Sequence, residues 1–79
     1  MRLRAVESLD FTQLEDHTLI TTEELARFLR IDPSSVRRWR TGRPQQGPPF
    51  IPMSDRVIMY QVADVRQWLA SKRVVPEAA

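Results

Sequence analysis

Three residues, Arg30-Ile31-Asp32, separate two helical patterns, and that brevity constrains the fold more than any other feature of the chain. Upstream, Thr21 and Glu24 have the spacing of a capping box, and Ile20 and Leu25 fall at the two positions of a hydrophobic staple. Leu25, Phe28 and Leu29 recur at i, i+3 and i+4 as one apolar stripe. Ala26 adds a small residue that lets another helix approach closely. The spacing predicts a helix over 22–30. Downstream, Asp32 is an N-cap residue, Pro33 suits the first helical turn, and Gly42 followed by Pro44 stops the pattern, which predicts a helix over 33–41. Two short helices joined this tightly, with Ile31 to plug the gap, form a helix-turn-helix.

The second helix carries a tryptophan and three arginines within four positions. At about 100° per residue, Val36 and Trp39 share a face with Arg40 on its flank, and Ser34, Arg37, Arg38 and Thr41 lie opposite. Trp39 therefore reads as core, packed on the Leu25/Phe28/Leu29 stripe. Arg37 and Arg38 read as outward-facing and free of carboxylate partners. Arg40 has two readings left open, an aromatic or acidic partner inside the protein, or a phosphate.

Residues 44–61 change character. Pro44, Gly47, Pro48, Pro49 and Pro52 exclude a helix. Phe50-Ile51-Pro52-Met53 and Val57-Ile58-Met59-Tyr60 are β-favouring runs, and Ser54-Asp55-Arg56 can turn between them. This predicts a small hairpin whose first strand Pro52 confines to a sheet edge. Val62, Val65, Trp68 and Leu69 then repeat at helical spacing, which predicts a third helix over 62–72 that lays Val65, Trp68 and Leu69 on the first two. Residues 1–18 form an N-terminal arm or a short helix through Leu9, Phe11 and Leu14, 19–73 one domain, and 74–79 a flexible tail. The fold class is mainly α with a small β-hairpin.

Charge is unevenly placed. Residues 1–24 carry Arg2 and Arg4 against Glu7, Asp10, Glu15, Asp16, Glu23 and Glu24, a net of −4. Residues 27–43 carry Arg27, Arg30, Arg37, Arg38, Arg40 and Arg43 against Asp32 alone, a net of +5. The overall charge of +2 hides this split. Eleven of the twelve basic residues are arginine, whose planar fork suits phosphates and guanine edges. Cysteine is absent and His17 is the one histidine, so neither a disulfide nor a thiolate or histidine metal site is expected. No apolar run is long enough to span a bilayer, and no signal-peptide h-region follows Met1. We expect a soluble, cytoplasmic protein with no membrane association. There is no phosphate-cradling glycine loop, no nucleophile–base pattern and no metal cluster, so no cofactor and no enzymatic activity are expected.

The segments Leu19-Ile20-Thr21-Thr22-Glu23-Glu24-Leu25-Ala26, Ser35-Val36-Arg37-Arg38-Trp39 and Val62-Ala63-Asp64-Val65-Arg66-Gln67-Trp68-Leu69, in this order around a Pro-rich connection and a hairpin, resemble the MerR-like winged helix-turn-helix. Within that superfamily the chain is most similar to the small excisionases of temperate phages, over residues 19–72. It departs from them in two places. The wing turn is Ser54-Asp55-Arg56 where the family carries glycine and basic residues, and Ser34 stands where the family's second helix often carries a basic one. The resemblance implies a non-catalytic protein that places its second helix in the major groove and its wing at the minor groove. Several copies would bind side by side on attachment-site repeats of double-stranded DNA and bend it, helping an integrase toward excision.

On that footing Arg37 and Arg38 are the candidates for base edges, with Ser34 and Ser35 giving short hydrogen bonds to bases or phosphates. Arg40, Thr41 and Arg43 lie lower and face phosphates. Arg27 and Arg30 either grip the flanking backbone or form a solvated face. The helix start near Thr22 offers backbone N–H groups to a phosphate, and Arg56 is the minor-groove candidate on the wing. Other copies of the chain and an integrase are the expected protein partners, with Val74 and Val75 in the tail as candidate contacts. A small phage or prophage transcriptional regulator of the same fold is the alternative. A protein-binding adaptor is a third reading, which the basic stretch at 27–43 opposes.

Overall fold

The computed structural model describes residues 11–77. A single turn of 3₁₀ helix, Phe11–Gln13, leads into strand β1 (Leu19–Thr21), helix α1 (Thr22–Leu29), helix α2 (Pro33–Thr41), strands β2 (Ile51–Pro52) and β3 (Ile58–Gln61), and helix α3 (Val62–Lys72). The strands form one antiparallel sheet in the order β1-β3-β2. Three helices around a three-stranded sheet make a winged helix-turn-helix, with β2 and β3 as the wing.

The local signals at the helix starts act as their residue types require. Thr21 caps α1: its Oγ1 accepts from the Glu24 amide at 3.0 Å, and the Thr21 amide donates back to the Glu24 carboxylate at 2.8 Å. The Asp32 carboxylate accepts from the Ser34 amide at 2.8 Å, and Pro33 fills the first position of α2. That bond to the Ser34 backbone and then the Ser34 side chain hold the Asp32 carboxyl below the ordinary carboxylate range, against an opposing effect of desolvation and with lesser help from the charges of Arg38 and Arg37.

Helix α1 ends one residue earlier than its sequence pattern predicts. Arg30 takes the left-handed conformation, φ 62° and ψ 42°, and the Ile31 amide donates to the Ala26 carbonyl at 3.0 Å. This αL cap turns the chain within the three-residue connection. Gly42 ends α2 on extended backbone, φ −78°, rather than by a positive φ. The last carbonyls of α2 are met from the loop beyond, Trp39 by the Gln46 amide at 2.9 Å and Arg40 by the Gln45 side chain at 2.8 Å.

Strand β1 has no counterpart among the sequence-based expectations. Its three residues pair with β3, Ile20 opposite Tyr60, so the expected hairpin is the larger part of a three-stranded sheet. Pro52 sits on the edge strand, as its missing N–H demands. The wing turn lacks glycine and is closed instead by Ser54, whose hydroxyl accepts from the Val57 amide at 3.2 Å and the Arg56 amide at 3.4 Å.

The core is Phe11, Ile20, Leu25, Ala26, Val36, Tyr60, Val62 and Val65, with Phe28, Leu29, Trp39 and Leu69 packed against it. Trp39 is half-buried rather than fully buried. Its aromatic partner is Trp68 of α3, with ring centroids 5.5 Å apart, and the loop at Gly47 lies on its other side. Phe11 stacks on Phe28 at 3.9 Å. Arg66 holds this N-terminal turn to α3 by donating to the carbonyls of Phe11 at 3.0 Å and Leu14 at 2.6 Å and pairing with Asp16 at 3.4 Å. The first amides of α3 donate to the carbonyls of Thr18 and Asp16, which replaces a side-chain cap. Leu9 lies outside the described residues, as do the rest of 1–10 and the last two residues of the tail.

Substitutions at three positions test these caps and turns. Asp32→Ala lowers the thermal midpoint at neutral pH. Because the folded-state pKa of Asp32 is depressed, the stabilisation from its ionised form is present above the unfolded-state value and fades as pH falls through the folded one. The wild type and Asp32→Ala therefore converge in acid, and Asp32→Asn, which still caps, holds its midpoint at neutral pH; thermal melts followed by circular dichroism from pH 7 to pH 3 check this. At Gly47, φ is +89° and an added Cβ would meet the Trp39 ring at 3.0 Å, so Gly47→Ala costs about 1–3 kcal/mol. Arg30→Gly relieves the one left-handed non-glycine among the described residues and stabilises by about 0.5–1 kcal/mol, both read from urea unfolding.

Candidate nucleic-acid interface

Helix α2 presents two faces. Val36 is buried and Trp39 half-buried on the inner one. Ser34, Arg37, Arg38 and Thr41 are exposed on the outer one, with Ser35 half-buried beside them. On this outer face Arg38 Nη2 donates to Ser35 Oγ at 3.1 Å, one turn back, which uses one of the two Ser35 lone pairs and draws the guanidinium toward the helix start. Thr41 Oγ1 donates to the Arg37 carbonyl at 3.1 Å, so its hydroxyl oxygen is still available as an acceptor. Arg43 is exposed just beyond the helix, with its Nη1 on the Gly42 carbonyl at 3.4 Å.

Two arginines depart from the simple division of faces. Arg37 is exposed but not free of carboxylates. Its Nη2 lies 2.6 Å from Glu23 Oε2 of α1, with the two side chains 49% and 58% exposed. A pair this open to solvent is worth about 0.2–1 kcal/mol, so it orients Arg37 and competes only weakly for its donors. Arg40 resolves to the inward of its two readings. Its Nη1 donates to Tyr60 Oη at 3.0 Å and Thr22 Oγ1 at 3.4 Å, and its guanidinium lies 5.8 Å from the Phe50 ring centre. A half-buried arginine with three internal partners fastens α2 to β3 and to the start of α1. Both bonds leave from Nη1, so the other donors of this guanidinium stay available to a phosphate.

Thr22 is likewise buried, its hydroxyl accepting from Arg40, and the Glu24 amide two residues on is already taken by the Thr21 cap. Arg27 is exposed on the same stripe of α1 as Glu23, at i+4 from it, and Arg30 is exposed just past the end of the helix. Arg56 is exposed at the wing turn and has no carboxylate within 4 Å among the described residues.

Between α1, α2 and the wing runs a cleft of about 250 Å³, lined by residues 21–23, by Arg37 and Arg40, and by 56–59. It brings together Thr22, Arg37, Arg40 and Arg56 of the sequence-derived candidates, from three different elements. Three guanidinium groups face one carboxylate there, so the cleft is net positive. The outer face of α2 adjoins it through Arg37. Arg27, Arg30 and Arg43 line no part of it. Two residues that sequence reasoning did not assign matter to its shape. Glu23 supplies the carboxylate and Tyr60 the anchor for Arg40; each is 14 to 20 positions from its arginine, beyond the reach of any helical or strand period.

No helix among the described residues is long and apolar enough to cross a membrane. No curated protein and no solved structure shows significant similarity to the chain. Residues 19–73, more than half of the sequence, match the family model described as a helix-turn-helix domain, which spans β1 through α3 and includes the whole basic cleft. That match supports DNA as the kind of partner, and the chain belongs to the helix-turn-helix domain family.

Proposed function

We propose that this protein is a sequence-specific architectural DNA-binding factor, an excisionase that binds attachment-site DNA in several adjacent copies, bends it and directs an integrase toward excision. The observation that carries the DNA-binding half is the continuity of one basic surface from the outer face of α2 through the cleft to Arg56 on the wing. With its side chains a helix such as α2 is about 10–12 Å across, which suits a major groove about 12 Å wide. Arg38 is the base reader, since its guanidinium is exposed and free of carboxylates among the described residues. Ser34 and Thr41 flank it. Arg43, Arg27 and Arg30 hold phosphates, and the wing carries Arg56 toward the minor groove.

One domain of this kind covers roughly 600–1,000 Å² on DNA, and copies seated on adjacent repeats would add their contacts to it. The excisionase reading rests further on the resemblance of the three helical segments. The regulator alternative would use the same contacts on an isolated site without bending.

Sites selected from a random library separate the two. Duplexes bearing tandem copies of the selected site should bind cooperatively and show a bend in circular-permutation gels; independent binding to a straight duplex would favour the regulator. With about four phosphates neutralised, log affinity falls against log salt with a slope of roughly −3.6, and a flat response would instead favour a protein-binding adaptor. Arg38→Ala weakens the selected site by about 1–3 kcal/mol, some 5- to 150-fold, while shifting stability by no more than about 0.5 kcal/mol, as read by fluorescence anisotropy and urea unfolding.

A further inference from the structure

Glu23 is the one carboxylate in the basic cleft, and its position is chemically opposed to phosphate binding. It stands in the first turn of α1, where backbone amides and the helix dipole favour an anion. Its Oε2 is 2.6 Å from Arg37 Nη2. Arg27 lies one turn along the same stripe at i+4, a spacing that would suit an ion pair, yet the carboxylate reaches across to α2 instead. A phosphate approaching Arg37 meets a competitor already seated on the guanidinium. A base edge does not compete in the same way. Its acceptors are neutral and can use the remaining donors of the guanidinium, whose five N–H groups are not exhausted by one carboxylate.

We infer that Glu23 is a specificity-determining residue: it occupies Arg37 against phosphates and so lowers the affinity of the protein for DNA of arbitrary sequence. This rests on the DNA-binding reading above. It also orders the roles of the two neighbouring arginines. Arg38, with no carboxylate partner among the described residues, is open to DNA at first encounter. Arg37 joins only where the geometry of the site repays loss or rearrangement of the Glu23 pair. Because the pair is exposed, the barrier is small, and the effect is a tuning of selectivity rather than an on–off switch.

The probe is a 30-base-pair duplex of random sequence, titrated by anisotropy at several salt concentrations with the full chain. Glu23→Gln should bind it about 2- to 5-fold more tightly than the wild type, with a salt slope steeper by about 0.9, the signature of one more neutralised phosphate. Glu15→Gln removes the same charge from an exposed carboxylate that pairs with His17 rather than with an arginine, and should give a smaller gain and an unchanged slope. In an Arg37→Ala background, the gain from Glu23→Gln should shrink to that of Glu15→Gln, with no change in slope. Thermal melts confirm that each variant is folded. The inference is overturned if Glu23→Gln and Glu15→Gln behave alike in the wild-type background, if the full gain persists without Arg37, or if Glu23→Gln weakens binding, which would make Glu23 a DNA contact in its own right. A wild type that binds no duplex at any salt would remove the DNA-binding reading itself, and this inference with it.

Discussion

What α2 offers to the outside is set by how Val36 is buried. A helix of nine residues with a net positive charge has little reason to hold one rotational setting by itself. Val36 is almost completely buried, and the residues beside it in the core, Leu25 and Ala26, have no exposed surface at all. Burial of such a side chain is worth about 1.5–3 kcal/mol, more than any single surface ion pair on this molecule can supply. With Val36 inward, the helical repeat leaves Ser34, Arg37, Arg38 and Thr41 no other place than solvent. Ala26 matters by its smallness, because a larger residue there would push α2 outward and rotate the whole reading face with it.

Arginine serves three separate purposes in this chain, and counting cations does not distinguish them. Arg66 and Arg40 are structural. One ties the N-terminal turn to α3, and the other joins α2 to Tyr60 and Thr22. Arg37 is shared between a carboxylate of its own protein and whatever the cleft receives. Arg27, Arg30, Arg38, Arg43 and Arg56 are exposed and without carboxylate partners among the described residues. The planar, multi-donor guanidinium makes this division workable. Arg40 can satisfy two oxygens and lie over an aromatic ring at once, which a lysine ammonium on a flexible stem would do poorly.

The parts of the fold that were legible in the sequence are those decided within a few residues. The Thr21/Glu24 cap, the Asp32-Pro33 start of α2, the edge position forced on Pro52 and the third helix over 62–72 all rest on local chemistry, and the structure reproduces them. Strand β1 was illegible because its three residues become a strand only through pairing with β3, about forty positions away. The same holds at the interface. The two faces of α2 could be read from its periodicity, but the Glu23–Arg37 pair and the Arg40–Tyr60 bond join elements whose relative placement no spacing encodes. Trp39 was placed on the correct side of its helix, packed against the core; Trp68 of α3 and the Gly47 loop also lie against its indole.

The central claim, that one face of α2 together with the cleft and the wing forms a single DNA-binding surface, is tested most directly by residue-resolved NMR of the isotope-labelled protein titrated with a selected duplex. Binding through this surface perturbs the signals of Ser34, Arg37, Arg38 and Thr41, of Glu23 and of the wing turn around Arg56, and leaves Gln67, Ala70 and Ser71 on the outer side of α3 unmoved. Perturbations centred on α3, with those α2 and wing signals unchanged, would contradict it.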